Sequence, residues 1–239
     1  MTGSEVLVTT SWDDGHALDV RLAGLLDEYG IAGTFYVAPR YDHSGFRPVS
    51  ASSLRALAER FEIGGHTLSH AHLPRLPPGD AMREIVEGKH AVEDMIGREI
   101  ASFSYPYGEY RGDHVSMVGD AGFTAARTIR RDAFDAGEDP LQLPTTVHGA
   151  RYRRDAWRLL RHGPSVRKGW NRWWNWDAHA RFLLDEVSVR GGMFHLWGHS
   201  WEIEAHGDWT RLEGFLAHLA GRENVRFVTN HELATAIGA

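Results

Sequence analysis

The stretch Val6-Leu7-Val8-Thr9-Thr10-Ser11-Trp12-Asp13-Asp14-Gly15-His16, continued by Ala17 to Tyr29, decides the fold. Val6 to Ser11 is short, apolar and rich in β-branched residues, and reads as a buried strand. Beyond the acidic turn, Leu18, Leu22, Leu25 and Leu26 recur at helical spacing on one face. Gly30 stands where a helix C-cap is expected. The unit is strand, turn, helix, and it recurs. Strands are expected at Gly33 to Val37, Glu62 to Gly65 and about 102–106, 123–129, 142–147, 192–198 and 225–228. Helices are expected at Leu54 to Arg60, Pro77 to Ile96 and about 110–120, 155–162, 177–189, 209–220 and 230–237. Such alternation implies a parallel sheet with right-handed crossovers. About seven or eight units in succession point to a barrel rather than an open sheet. Segments 130–140 and 163–176 read as excursions from it, and no repeat or linker divides the chain, so 1–239 reads as a single domain.

The bulk numbers agree. A length of 239 residues suits one α/β barrel, and 42% hydrophobic with 24% charged residues is ordinary globular composition. A net charge of -6 gives no basic face for nucleic acid, apart from a local arginine cluster from Arg151 to Arg154. The absence of cysteine excludes disulfides and thiolate metal sites. The first residues show no basic stretch followed by an apolar run, so no signal peptide is expected, and no apolar run approaches the roughly 20 residues of a membrane span. A cytoplasmic protein without membrane contact is therefore expected. Fifteen histidines and nine tryptophans stand out. Histidine is the commonest metal ligand, and tryptophan is favoured at interfaces and on sugar-stacking faces.

Barrel chemistry lies where strands end, so the segments that close strands carry the candidates. Asp13 and Asp14 close the first. Adjacent carboxylates are costly to hold together unless a cation or a proton separates their roles, although Asp-Asp-Gly is also an ordinary helix-capping turn. His66 and His70 follow the third strand, four residues apart, and can reach one ion from one face of a turn. With one carboxylate they form a His₂Asp set with positions open for water and substrate, as in hydrolytic metal sites. Pro106-Tyr107-Gly108 closes the fourth strand and can offer a backbone N–H to an oxyanion. In the late strand, period-two geometry sets His195, Trp197 and His199 on one side. His199, nearest the strand end, is the candidate acid. His195 reads as a core histidine satisfied by a buried hydrogen bond.

In this order the segments resemble the polysaccharide deacetylases with a NodB-homology domain, carbohydrate esterase family four, from about Val6 to Glu232. The family's Thr-Phe-Asp-Asp-Gly is matched by Ser11-Trp12-Asp13-Asp14-Gly15. Its His-Ser/Thr-x-x-His is matched by His66, Thr67 and His70. Its Arg-x-Pro-Tyr is matched by Pro106 and Tyr107, with Ser104 in place of the arginine. Its Leu-x-His aligns with Trp197-Gly198-His199, and Ser200-Trp201-Glu202-Ile203 is similar to the Pro-Trp-Glu-Ile of some members. Its Asp-x-x-Asp-Trp has no counterpart; Trp170, Trp173, Trp174 and Trp176 are candidates for the groove wall it would supply.

The resemblance implies a distorted seven-stranded (β/α) barrel that removes acetyl groups from an N-acetylated sugar or polysaccharide. It implies a divalent metal on Asp14, His66 and His70: zinc first, with cobalt, nickel or manganese as alternatives. It implies Asp13 as general base, the Tyr107 amide at the oxyanion and His199 as acid to the leaving amine. Trp197, Trp201 and Pro106 would line the substrate pocket, Trp197 narrowing it around the acyl methyl. The family arginine orients the first aspartate. With Ser104 in its place, Asp13 is expected to titrate higher unless Arg151 or Arg127 substitutes. Two alternatives stay open: another amide or ester hydrolase on this fold (O-deacetylase, deformylase or allantoinase-like), or a non-catalytic, metal-loaded carbohydrate-binding protein.

Overall fold

The computed structural model describes residues 5–150 and 175–237. Strands β1 (Val6–Trp12), β2 (Thr34–Val37), β3 (Glu62–Gly65), β4 (Ser102–Ser104) and β5 (Ala125–Arg127) alternate with helices α1 (Asp19–Glu28), α2 (Ala51–Ala58), α3 (Pro78–Ile96) and α4 (Gly112–Asp120). There follow β6 (Val147–His148), α5 (Trp176–Arg190), β7 (Gly192–Gly198), α6 (Ser200–Ala205), α7 (Trp209–Ala220), β8 (Val225–Phe227) and α8 (Asn230–Ile237).

All strand pairings are parallel, in the order β5-β4-β3-β2-β1-β7-β6. β7 takes one whole edge of β1, from Val6 opposite Gly192 to Trp12 opposite Gly198. The other edge is shared: β8 pairs Val6 to Val8 and β2 pairs Ser11 and Trp12. The strip Leu143 to Thr146 links β5, at one end of the path, to β7, beside the other end. Leu143 N donates to Ala126 O of β5, and Thr146 N donates to His195 O of β7. The sheet thus curls into the expected distorted seven-stranded (β/α) barrel, with β8 as an addition on β1.

The strand expected at 142–147 is broken. Pro140–Gln142 forms a 3-10 turn, and the regular strand is only Val147–His148. Pro144 has no N–H to give a ladder, and the chain changes partner from β5 to β7 around it. The second helix begins earlier than expected because the Ser50 hydroxyl accepts from Ser53 N at 3.1 Å and caps it. Helix α6 was not anticipated. The expected helix at 155–162, most of the 163–176 excursion, Arg151, Trp170, Trp173 and Trp174 lie outside the described residues. Trp176 is buried at the start of α5, donates to Asp208 Oδ2 at 3.2 Å and meets Phe215 edge-on, so it belongs to the core and not to a groove wall.

The core is built as the periodicity requires. Val6, Val8 and Trp12 of β1 and Leu22 and Leu26 of α1 are fully buried. Ala81, Ile85, Gly88, Val92 and Ile96 form the inner stripe of α3. Gly88 has a particular duty there: a Cβ on it would lie 2.5 Å from the Thr67 carbonyl carbon. Its absence lets α3 press against the loop after β3. No helix among the described residues is long and apolar enough to cross a membrane.

Candidate active site

The two carboxylates of the first turn are thrown in different directions by the backbone. Asp13 N still bonds Gly198 O across the sheet, at 3.0 Å. Asp14 then takes φ 81° and Gly15 φ 74°, both left-handed. A side chain at Gly15 would meet Val37 Cγ1 at 2.8 Å, so glycine is required there. Asp14 turns toward β3 and Asp13 toward β5.

The loop after β3 is strained and clamped. Thr67 and His70 have φ of 61° and 58°. Leu68 N donates to Glu84 O, and Ser69 N and Oγ donate to the two Glu84 carboxylate oxygens, all at 2.9 Å. Held in this way, His66 Nε2 and His70 Nε2 stand 3.6 and 3.4 Å from Asp14 Oδ1. His66 Nδ1 donates to Ser104 O at 2.7 Å, which leaves the Nε2 lone pair facing Asp14. Trp201 Nε1 donates to Asp14 Oδ2 at 2.9 Å. Asp14 Oδ1 is buried and, among the described residues, accepts no hydrogen bond.

These observations fit a divalent cation. Ligand bonds of about 2.0–2.2 Å around a tetrahedral ion put neighbouring donors roughly 3.3 Å apart. The observed spacing is close to that, and a cation would satisfy the orphaned carboxylate oxygen. Burial lowers His66 to a pKa of about 4 and His70 to about 3, so both imidazoles are neutral and offer lone pairs at physiological pH.

Asp13 is held separately. Arg127, fully buried on β5, donates through Nη2 to both of its carboxylate oxygens. The guanidinium lies 5.5 Å from the Tyr36 ring centroid and 4.7 Å from that of Trp197. Arg127 is the register partner of Ser104 on β4. The arginine missing at Ser104 is thus replaced from the neighbouring strand at the same level, where serine leaves room for it. Of the two outcomes left open for Asp13, the one in which Arg127 fills the gap is the one found, and the upward titration does not occur. Burial would raise its pKa, but Arg127, His66 and His199 outweigh burial and hold it at about 2.

His199 is the first residue beyond β7. Its Nδ1 donates to Glu202 Oε2 at 2.6 Å, and its Nε2 lies 3.9 Å from Asp14 Oδ2. Burial alone would lower its pKa; the hydrogen bond to Glu202 and the carboxylates of Asp14, Glu202 and Asp13 raise it to about 9. The surrounding carboxylates thus favour the protonated imidazole, and its Nε2 faces Asp14. His148 Nε2 lies 3.2 Å from the same Glu202 oxygen. Glu202 was not singled out from the sequence as a site residue. Its signal is there in the i,i+3 spacing from His199 and its place in the first turn of α6.

Other expected residues sort by environment. His195 is fully buried, donates from Nδ1 to Pro144 O at 3.1 Å and lies 2.9 Å from Ser11 Oγ, as a core histidine would. Trp197 is buried against His148 and Arg127. Pro106 is buried, while Tyr107, at φ 59°, is 45% exposed.

Behind the site, Asp19 is buried with one hydrogen bond, from Ser200 Oγ at 2.5 Å, and burial raises its pKa to about 8. Between the unfolded value near 3.9 and that pKa the folded chain binds more protons than the unfolded one, so stability falls as pH rises through this window. Asp19→Asn should therefore gain in Tm relative to wild type between pH 5 and pH 8, by about several degrees. Thermal melts with the same difference at both pH values would refute this.

A curled parallel barrel with paired aspartates, a His-x-x-x-His turn and a Pro-Tyr turn at the ends of β1, β3 and β4 defines a class of barrel hydrolases. The family model described as polysaccharide deacetylase matches residues 2–126, more than half of the chain, and the chain belongs to that family. Arg127, Trp197, His199 and Glu202 lie beyond the matched segment. Solved structures share the fold. A Mycobacterium smegmatis protein assigned to the polysaccharide deacetylases is 18% identical, covering 99% of this chain and 91% of its own, with a TM-score of 0.74. A family 4 acetyl xylan esterase from Clostridium thermocellum, in complex with a cobalt ion, is 18% identical over 98% of this chain and 92% of its own, TM-score 0.60. The chitin deacetylase of Colletotrichum lindemuthianum is 15% identical over 96% of this chain and 88% of its own, TM-score 0.60.

Proposed function

We propose that this chain is a divalent-metal-dependent deacetylase that hydrolyses the acetamide of an N-acetylated sugar or polysaccharide. One observation carries the reading: the orphaned Asp14 oxygen between two neutral imidazoles, flanked by a separately held carboxylate and a cationic histidine. Asp14, His66 and His70 would hold the ion. The C. thermocellum esterase holds cobalt, and zinc or a similar ion suits this oxygen-and-imidazole set. When bound, such an ion supplies Lewis acidity toward an acyl oxygen and acidifies water.

The chain's own residues do the rest. Asp13, ionised and oriented by Arg127, accepts the proton of the attacking water. The Tyr107 amide supports the oxyanion. His199, positioned by Glu202, gives its Nε2 proton to the leaving nitrogen, which departs poorly without one. Pro106, Trp197 and Trp201 surround the acyl end, and Trp201 also fixes Asp14.

The test is acetate release from N-acetyl chito-oligosaccharides by protein stripped with a chelator and then restored with zinc. Activity is expected only after restoration; equal activity in both states would overturn the metal assignment, and release from O-acetylated xylan alone would make the enzyme an esterase. His199→Ala should lower kcat on the acetamide by about 10²-fold and act far less on p-nitrophenyl acetate, whose leaving group needs no proton. Equal losses on both would remove His199 as the acid.

A further inference from the structure

Helix α6 is six residues long, too short to hold its place by its own hydrogen bonds, and the side chain at its N-cap, His199, gives it no capping bond. Yet this first turn sets the direction of the proposed acid. Two of its side-chain ties end on groups that belong to the proposed chemistry. Glu202 Oε2 accepts from His199 Nδ1, and Trp201 Nε1 donates to Asp14 Oδ2. The tie made by Ser200 ends elsewhere. Its hydroxyl donates to Asp19 Oδ1 at 2.5 Å, and both residues are buried.

Asp19 is a fixed point. It opens α1, its N–H donates to His16 O at 2.9 Å, and Leu18 N donates to His16 Nδ1 at 3.1 Å. One turn and two turns further on, Leu22 and Leu26 are fully buried in the core. The segments 13–19 and 198–200 therefore lie side by side, joined at both ends. Asp13 N donates to Gly198 O at 3.0 Å at one end, and Ser200 donates to Asp19 at the other. His199 stands between the two joints. Packing does not require a carboxyl group at position 19. An apolar side chain would fill the place without the cost of desolvating one, so the acceptor is there for Ser200.

We infer that Ser200 and Asp19 are a positioning pair for the acid: their bond refers the start of α6 to the packed helix α1 and so fixes where His199 presents Nε2. The reference lies outside the groups that exchange protons, so the acid keeps its aim while their charges change. Displacing a reacting group by about 1 Å can cost about 10²-fold in rate, so a bond that only steers is enough to matter. The inference rests on the reading of His199 as the acid of a deacetylase.

The zinc-restored enzyme tests it. Ser200→Ala should lower kcat on an N-acetyl chito-oligosaccharide by about tenfold with little change in KM, and act far less on p-nitrophenyl acetate, whose leaving group needs no proton. Metal content should stay at the wild-type level. Asp19→Ala should behave alike, and the double variant should lose no more than either single one. Asp19→Asn keeps the accepting oxygen and should keep wild-type kcat. Should an alanine variant fail to fold, Ser200→Cys, a weaker donor of similar shape, reads the same split between substrates. Wild-type kcat in the alanine variants, equal losses on both substrates, or an Asp19→Asn enzyme as slow as Asp19→Ala overturns the pair. Crystal structures of wild type and Ser200→Ala separate this failure from that of the function. A His199 Nε2 moved from its 3.9 Å approach to Asp14 Oδ2, in a protein that releases no acetate from any substrate, refutes only the deacetylase reading. A His199 that has not moved refutes the positioning pair.

Discussion

His66→Ala and Asp14→Ala should each purify folded and with metal content lowered to background, and acetate release should vanish with the ion. Removing an outer-shell partner alone typically costs 10- to 100-fold in metal affinity, so loss of a direct ligand should exceed that. The two variants should part in stability. Asp14 places a carboxylate oxygen with no partner among the described residues in a buried site, which is unfavourable without a cation. Metal-free Asp14→Ala should therefore melt no lower than metal-free wild type, whereas wild type with metal should melt above both. Elemental analysis with melts in chelator and in zinc checks this. Wild-type metal levels in both variants would dismantle the site assignment.

Asp13→Asn should behave in the opposite way, keeping the ion and losing about 10²–10⁴ in kcat, the usual range for general-base catalysis. Arg127→Met should also lower kcat, because it leaves Asp13 unoriented. It should in addition destabilise the fold by roughly 3–5 kcal/mol, the effect of breaking a buried ion pair from one side. The exchange Ser104→Arg with Arg127→Ser moves the guanidinium back to the adjacent strand at the same register level. It should recover part of the turnover that Arg127→Ser alone loses. A well-folded Arg127→Met enzyme with normal kcat would show that the pair serves stability only.

Much of this was legible because it is local. The apolar run of β1, the leucine stripe of α1 and the recurrence of that unit are periodic signals within a few residues, and they specify parallel strands and crossovers. The His66 and His70 spacing and the Asp13-Asp14 pair are also local, and their order along the chain carried the family resemblance. Legibility failed where distant segments meet. The 142–147 strand was misjudged because Pro144 sits where the chain changes neighbours, and neighbours are not written in a run of side chains. Glu202 stood within the quoted Ser200-Trp201-Glu202-Ile203 without a role, because the short helix α6 that turns it back onto His199 is not written in a local periodic pattern.

The sequence by itself determined the barrel class and offered the aspartate pair, the two histidines and the late histidine as candidates, since each depends on residue type and short spacing; only the family resemblance favoured Asp14 over Asp13 as the ligand. Only the tertiary structure decided which aspartate faces the imidazoles and which faces an arginine, because two left-handed residues at Asp14 and Gly15 set those directions. It alone picked out Arg127 as the partner of Asp13; Arg151 lies outside the described residues. That choice follows from the register of β4 against β5, a cross-strand relation set by hydrogen bonding between segments more than twenty residues apart along the chain.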